Sequence, residues 1–164
     1  MSMGRFVLRA TVGGLFIGHG LQKLKGWFGG PGPEGTEEMM KSLKLHPPKT
    51  QALAAGVTET AAGAMLATGT LTPLASAGVI GVMMTAIRKV HAPNGVWNAN
   101  GGWEFNAVMI AAALALAENP GKCSIDRRIR GRKWGTTWAI AALIAGNLAS
   151  MATISYGEKQ AENH

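Results

Sequence analysis

Two long stretches of this chain carry no charge: residues 60–87, broken only by the turn Gly69-Thr-Leu-Thr-Pro73, and residues 134–157. About 20 consecutive apolar residues cross the ~30 Å hydrocarbon core of a bilayer as a helix. Backbone that faces lipid must satisfy its hydrogen bonds internally, so such runs confine a chain to helices or closed barrels. The second run has the length of a complete span. Composition decides less: 47% hydrophobic residues and a mean hydropathy of +0.12 suit a slightly apolar soluble protein as well as a membrane protein with polar loops. At 164 residues there is room for one domain.

Apolar segments can be drawn at 5–24, 50–69, 73–90, 103–118 and 134–155. They predict an all-α integral membrane bundle of five spans. The fourth is short: residues 105–117 are uncharged and reach roughly 20 Å at the helical rise, so part of the preceding loop is expected at membrane depth, shielded by protein. Asn94, Asn98 and Asn100 would supply some of its hydrogen bonds. Ala142, Gly146 and Ser150 repeat every fourth residue, as do Ala77 and Gly81, and small residues at this spacing let helix backbones approach closely in lipid. Between the first two spans, Thr36 is a candidate cap for a short helix with acids in its first turn. Met39, Met40, Leu43 and Leu45 of that stretch would lie on the membrane interface or on a solvated loop helix.

The net charge of +7 raises nucleic acid as a partner, but aromatic residues are not interleaved with the basic ones and no nucleic-acid module is visible. The basic residues serve topology instead. Lys122, Arg127, Arg128, Arg130, Arg132 and Lys133 fill the loop before the last span and mark it as cytoplasmic. Counting back places the N-terminus, with Arg5 and Arg9, in the cytoplasm and the C-terminus outside. Lys23, Lys25, Lys41, Lys44 and Lys49 run against this assignment, offset in part by Glu34, Glu37 and Glu38. The N-terminal segment has no small-x-small cleavage pattern after it and reads as a retained helix. The single cysteine, Cys123, permits no intramolecular disulfide and no CxxC pair.

Crossing parity brings two polar clusters, residues 19–32 and 91–104, to one side of the membrane. His19 and Lys23 share a helix face with Gln22 beside them, although Lys23 near the end of its span could simply snorkel. Glu59 lies about midway along the second span, where an acid is costly and should face the bundle interior. It needs a cation, with Arg9 a candidate, or a proton that keeps it neutral; structural pairing and proton handling are both open. Arg88 and Lys89 read as interfacial anchors. His91, Trp97, Asn98, Trp103 and Glu104, beside His19 and Gln22, would form an aromatic-walled pocket with a few polar contacts, suited to a quinone headgroup. A metal site from His19, Glu59, His91 and Glu104 lacks diagnostic spacing.

The block Gly14-Leu-Phe-Ile-Gly-His-Gly-Leu-Gln-Lys-Leu24 with Gly26-Trp-Phe-Gly-Gly-Pro-Gly32, then Glu59-x-x-x-Gly63-x-x-Leu66-x-x-Gly69, then His91-x-Pro-Asn-Gly95 and Asn98-x-Asn-Gly-Gly102, resembles the DoxX family of small bacterial membrane proteins. The resemblance runs over roughly residues 5–126 and implies a four-helix membrane unit, leaving 127–164 as a basic loop, a fifth span and a short tail. It further implies a membrane subunit of a quinone-linked oxidoreductase, taking electrons from thiosulfate or another donor and working with other membrane or redox proteins. No cofactor is expected on this chain beyond a transient quinone, because one thiol and no flavin, haem or metal motif leave nowhere to hold electrons. The alternative is an accessory or scaffold subunit without redox chemistry.

Overall fold

The computed structural model describes residues 3–128, 131 and 134–162. Among them there are helices and no strands. Five long helices alternate in direction: α1 (Met3–Lys25), α3 (Pro48–Thr68), α4 (Thr72–Ala86), α5 (Glu104–Glu118) and α7 (Thr136–Glu162), with a short α2 (Gly32–Ser42) between α1 and α3 and a single turn, α6 (Ile125–Arg128), before α7. Two segments, Thr72–Asn94 and Thr136–Glu162, are long and apolar enough to cross a membrane by length and composition. Of the basic loop, Arg130, Arg132 and Lys133 lie outside the described residues.

Glycine sets the closest seam. A Cβ at Gly13 would stand 2.6 Å from the Gly63 carbonyl oxygen and the Ala67 nitrogen, and one at Gly63 would stand 2.7 Å from the Gly13 oxygen and the Ile17 nitrogen. No side chain fits there, so α1 and α3 run antiparallel with their backbones in contact. The small-residue stripe of α7 meets that of α4 in the same manner: a Cβ at Gly146 would stand 2.7 Å from the Ala77 oxygen. Here the two helices run parallel, and polar groups continue the seam: Thr85 Oγ1 and Arg88 Nη1 both reach Ser150 Oγ (2.9 and 2.6 Å), Arg88 Nη2 donates to Asn147 Oδ1, and Lys89 pairs with Glu158 at 3.1 Å. Arg88 and Lys89, just beyond the end of α4, therefore fasten that end to α7, a role that the reading as interfacial anchors did not include. Phe16, Leu66, Val79, Ile80, Ala113 and Leu116 form the core around α4.

α7 continues past residue 155 to Glu162, where Gly157 packs against Leu45 and its carbonyl accepts from the His46 N–H. Trp138 and Tyr156 are both half exposed, with exposed Ile140, Ile144, Leu148 and Met151 between them. Eighteen residues of helix separate the two rings, about 27 Å, the spacing of an aromatic residue at each face of a hydrocarbon layer.

Opposite that end, the α3–α4 turn is held from outside itself. Gly69 takes the left-handed conformation (φ +71°) that closes α3, and Leu71, also left-handed, has no side-chain oxygen with which to cap α4. Asp126 takes that role in trans. Its Oδ1 accepts from the Leu71 N–H (2.9 Å), and its Oδ2 from the Thr72 N–H (2.9 Å), the Thr72 hydroxyl (2.7 Å) and Trp134 Nε1 (2.9 Å). Arg9 is buried at the same end, beside Gly69 and Ser124, with its guanidinium 5.9 Å from the Phe6 ring centroid.

Three local expectations change. Thr36 is not a cap: α2 begins at Gly32 with Pro33 in its first turn, and the buried Thr36 hydroxyl donates back to the Gly32 carbonyl at 2.6 Å. Met40 and Leu45 are buried against Ala52 instead of lying on the interface. The loop ahead of α5 is not shielded, since residues 92–100 are exposed. It satisfies its backbone internally, through the Trp103 and Glu104 N–H groups bonded to the Gly95 and Val96 carbonyls.

Candidate functional site

A cavity of about 450 Å³ opens near the ends of α1, α3, α4, α5 and α7 that lie beside α2. Its walls are mostly apolar and small: Ala54 and Ala55 of α3, Ala77, Gly78 and Gly81 of α4, Ala149 of α7. Met39 and Met40 of α2, and Leu43 just after it, border the cavity, so the apolar face of α2 turns onto the bundle. The volume falls within the usual range for small-molecule sites, and so does the balance of many apolar contacts with few polar ones.

The central polar feature is an ion pair. Glu59 is 3% exposed, and its Oε2 lies 2.7 Å from Lys23 Nζ, whose side chain is 19% exposed. Arg9, the cation expected to face Glu59, sits fourteen residues back along α1, about 21 Å away along the axis, beside Gly69. The glycine seam explains the choice: Gly20 faces Thr60 and Gly56 faces Leu24, which brings Lys23 within one turn of Glu59. Lys23 does not snorkel away; it covers the acid with its head at the cavity wall.

Two histidines, His19 and His91, share the lining with this pair. His91 Nδ1 lies 2.7 Å from the Gly101 carbonyl oxygen. A carbonyl can only accept, so Nδ1 carries a proton and donates, which leaves Nε2 as the ring nitrogen open to a ligand. His19 Nδ1 lies 3.0 Å from Gln22 Oε1, and Gln22 Nε2 donates to the Phe28 carbonyl (3.4 Å), so that amide is oriented to accept from His19. His19 is held from its own helix and the following loop. His91 closes a π-helical turn, Ile87–His91, which widens the helix where Lys89 and His91 join the lining.

Of the residues singled out from sequence, His19, Glu59 and His91 line this cavity, whereas Gln22, Trp97, Asn98, Trp103 and Glu104 do not. Gln22 acts behind His19. Glu104 Oε2 accepts from the Asn98 N–H at 2.9 Å and ties its own loop, while Trp97 is 65% exposed. Sequence reasoning passed over Asn106, which is 4% exposed with Nδ2 3.4 Å from Met83 Sδ, and the hydroxyls of Thr85 and Ser150. Asn106 lies two residues after Glu104, inside the apolar run of α5, and that position was its one available signal. Among the described residues no three of His, Cys, Asp or Glu gather as metal ligands.

The DoxX family model matches residues 4–92, more than half of the chain. The chain belongs to the DoxX family. The match takes in α1 through the π turn, and so includes His19, Lys23, Glu59 and His91. It stops short of the loop at 94–103 and of α5, a smaller extent than the resemblance at 5–126. Neither the curated proteins nor the solved structures yielded a match. Membership makes this an integral membrane protein, so the lipid bilayer is its environment. The DoxX region alone does not complete the cavity, because Phe105 and Asn106 of α5 and Ala149, Ser150 and Thr153 of α7 also line it.

Proposed function

We propose that this DoxX protein is a multi-pass membrane subunit of a quinone-linked oxidoreductase, offering its cavity to the quinone ring while a partner protein carries the redox centre. The observation that carries this reading is the Lys23–Glu59 pair in a largely apolar cavity whose lining also includes His19 and His91. A quinone ring needs flat apolar walls and hydrogen-bond donors at its two carbonyl oxygens. Lys23 is such a donor, and His19 and His91 can each give or take one proton. When the ring is reduced it gains two electrons, supplied by the partner, and two protons, which these residues can relay. Quinone is thus a transient ligand, and no electron is stored on this chain.

The topology proposed with it is N-terminus cytoplasmic and C-terminus outside, which places the cavity in the outer leaflet and Arg127 and Arg128 on the cytoplasmic side. Purification in mild detergent, followed by extraction and chromatography of bound quinone and by mass spectrometry of co-purifying proteins, tests the reading. Substoichiometric or stoichiometric quinone together with a flavin-, haem- or metal-bearing partner is the expected result. A partner without quinone would favour the scaffold alternative, which the backbone-tight α1–α3 and α4–α7 seams also suit. A stable monomer with neither would contradict both.

A further inference from the structure

A second hollow adjoins the cavity. It measures about 380 Å³ and lies between α3 and α7 over the face of α4, and Thr58, Ala77, Gly78 and Ala149 line both spaces. From these shared residues it runs toward the opposite end of the bundle as far as Met65 and Leu74. From residue 58 to residue 65 of α3 is two helical turns, about 10 Å. α4 presents alanine and glycine along its floor, and Ala61 and Ala145 of its lining are exposed. In a membrane protein those two residues face acyl chains. Thr58 is the one residue of its lining with a polar side chain.

We propose that this groove is the tail half of a head-and-tail site, and that the ligand is a membrane amphiphile whose compact ring occupies the cavity while its single apolar chain lies in the groove. The proposal rests on the reading that the cavity takes a quinone ring, and it selects within that class: long-chain, membrane-resident quinones bind and chain-free ones bind weakly. Four residues common to the two linings, Thr58, Ala77, Gly78 and Ala149, set the spaces side by side, so that the ring and the chain of one ligand can occupy both. A free acyl chain of a bilayer lipid would fill the groove alone and owe nothing to the cavity.

The test titrates the detergent-purified full chain with two probes, a methylated benzoquinone with no side chain and the same ring carrying a ten-carbon chain. Wild type is compared with Ala61→Phe and Ala145→Phe. Both alanines are exposed, so an added ring fills the groove without entering the core, and an unchanged melting temperature confirms this. Each substitution is expected to weaken the chain-bearing probe at least ten-fold and to leave the chain-free probe within two-fold. Equal weakening of both probes, or of neither, overturns the groove while leaving the ring site intact. Failure of the chain-bearing probe to bind wild type contradicts the ring reading and the groove with it. Displacement of the tailed probe by a simple ten-carbon alcohol, with the chain-free ring unaffected, makes the groove an ordinary lipid site and also overturns the proposal.

Discussion

Replacing Glu59 by leucine is expected to cost about 3–5 kcal/mol, the range for stranding one member of a buried ion pair, with the partial exposure of Lys23 placing the loss toward the lower figure. The ammonium of Lys23 loses its 2.7 Å partner in a largely apolar wall and must deprotonate or turn outward. The double variant Lys23→Met/Glu59→Leu should recover most of the loss, because two well-packed apolar side chains often match the pair they replace. Thermal melts of the four proteins in one detergent form the cycle that isolates the coupling. Additive losses would show that the two groups do not depend on each other. Recovery of stability without recovery of quinone binding would separate the site's chemistry from its folding.

Asp126→Ala is the second large effect, about 3 kcal/mol, because at least four donors among the described residues lose one acceptor and an unsatisfied buried polar group costs about 1–3 kcal/mol, with water relieving those that are part-exposed. Among the described residues the affected groups include the N–H of Leu71, the N–H and hydroxyl of Thr72, and Trp134 Nε1. Asp126→Asn should cost less, since one oxygen remains to accept. The same carboxylate gives stability a pH dependence. Burial alone would raise its pKa, but hydrogen bonds from Thr72, Trp134 and Leu71 outweigh burial and hold it below the usual carboxylate value. A lowered folded-state pKa means that the contribution is complete above the unfolded-state pKa of about 3.9 and disappears as pH falls through the folded value. Melts of wild type and Asp126→Ala should therefore converge as the solution is acidified below about pH 4. A gap that persists undiminished at low pH would assign the effect to packing.

Helices were the legible part of the sequence, because uncharged length is a one-dimensional property. The segments at 50–69 and 103–118 fall within two residues of α3 (Pro48–Thr68) and α5 (Glu104–Glu118). Crossing parity also put residues 19 and 91 at one end of the bundle, and both line one cavity there. Pairing was less legible. An acid on one helix and a cation on another can be matched only once their register is known, and the register came from Gly13, Gly20, Gly56 and Gly63, whose seven-residue spacing aligns them on one face of each helix. Read as a seam, those four glycines point from Glu59 to Lys23 and from Arg9 to Gly69. The role of Asp126 had no such signal. One acid in a basic loop acquires a function only because folding brings the uncapped start of α4 to it, more than fifty residues away in sequence. The same holds for α7, whose small-residue stripe announced close packing but not that Ser150 would accept from Thr85 and Arg88 and join the cavity wall.

The central claim is a location, and the measurement that tests it most directly is where a bound ring reacts. The purified chain is irradiated with a photoreactive benzoquinone, with and without excess unlabelled quinone, then digested and mapped by mass spectrometry. The account predicts competable label on the peptides that contain Met39 and Met40, Glu59, or Met83, and its loss in the Lys23→Met/Glu59→Leu double variant even where that variant is folded. Label confined to the exposed loop of Trp97, Asn98, Trp103 and Glu104, or label that excess quinone does not displace, would contradict it.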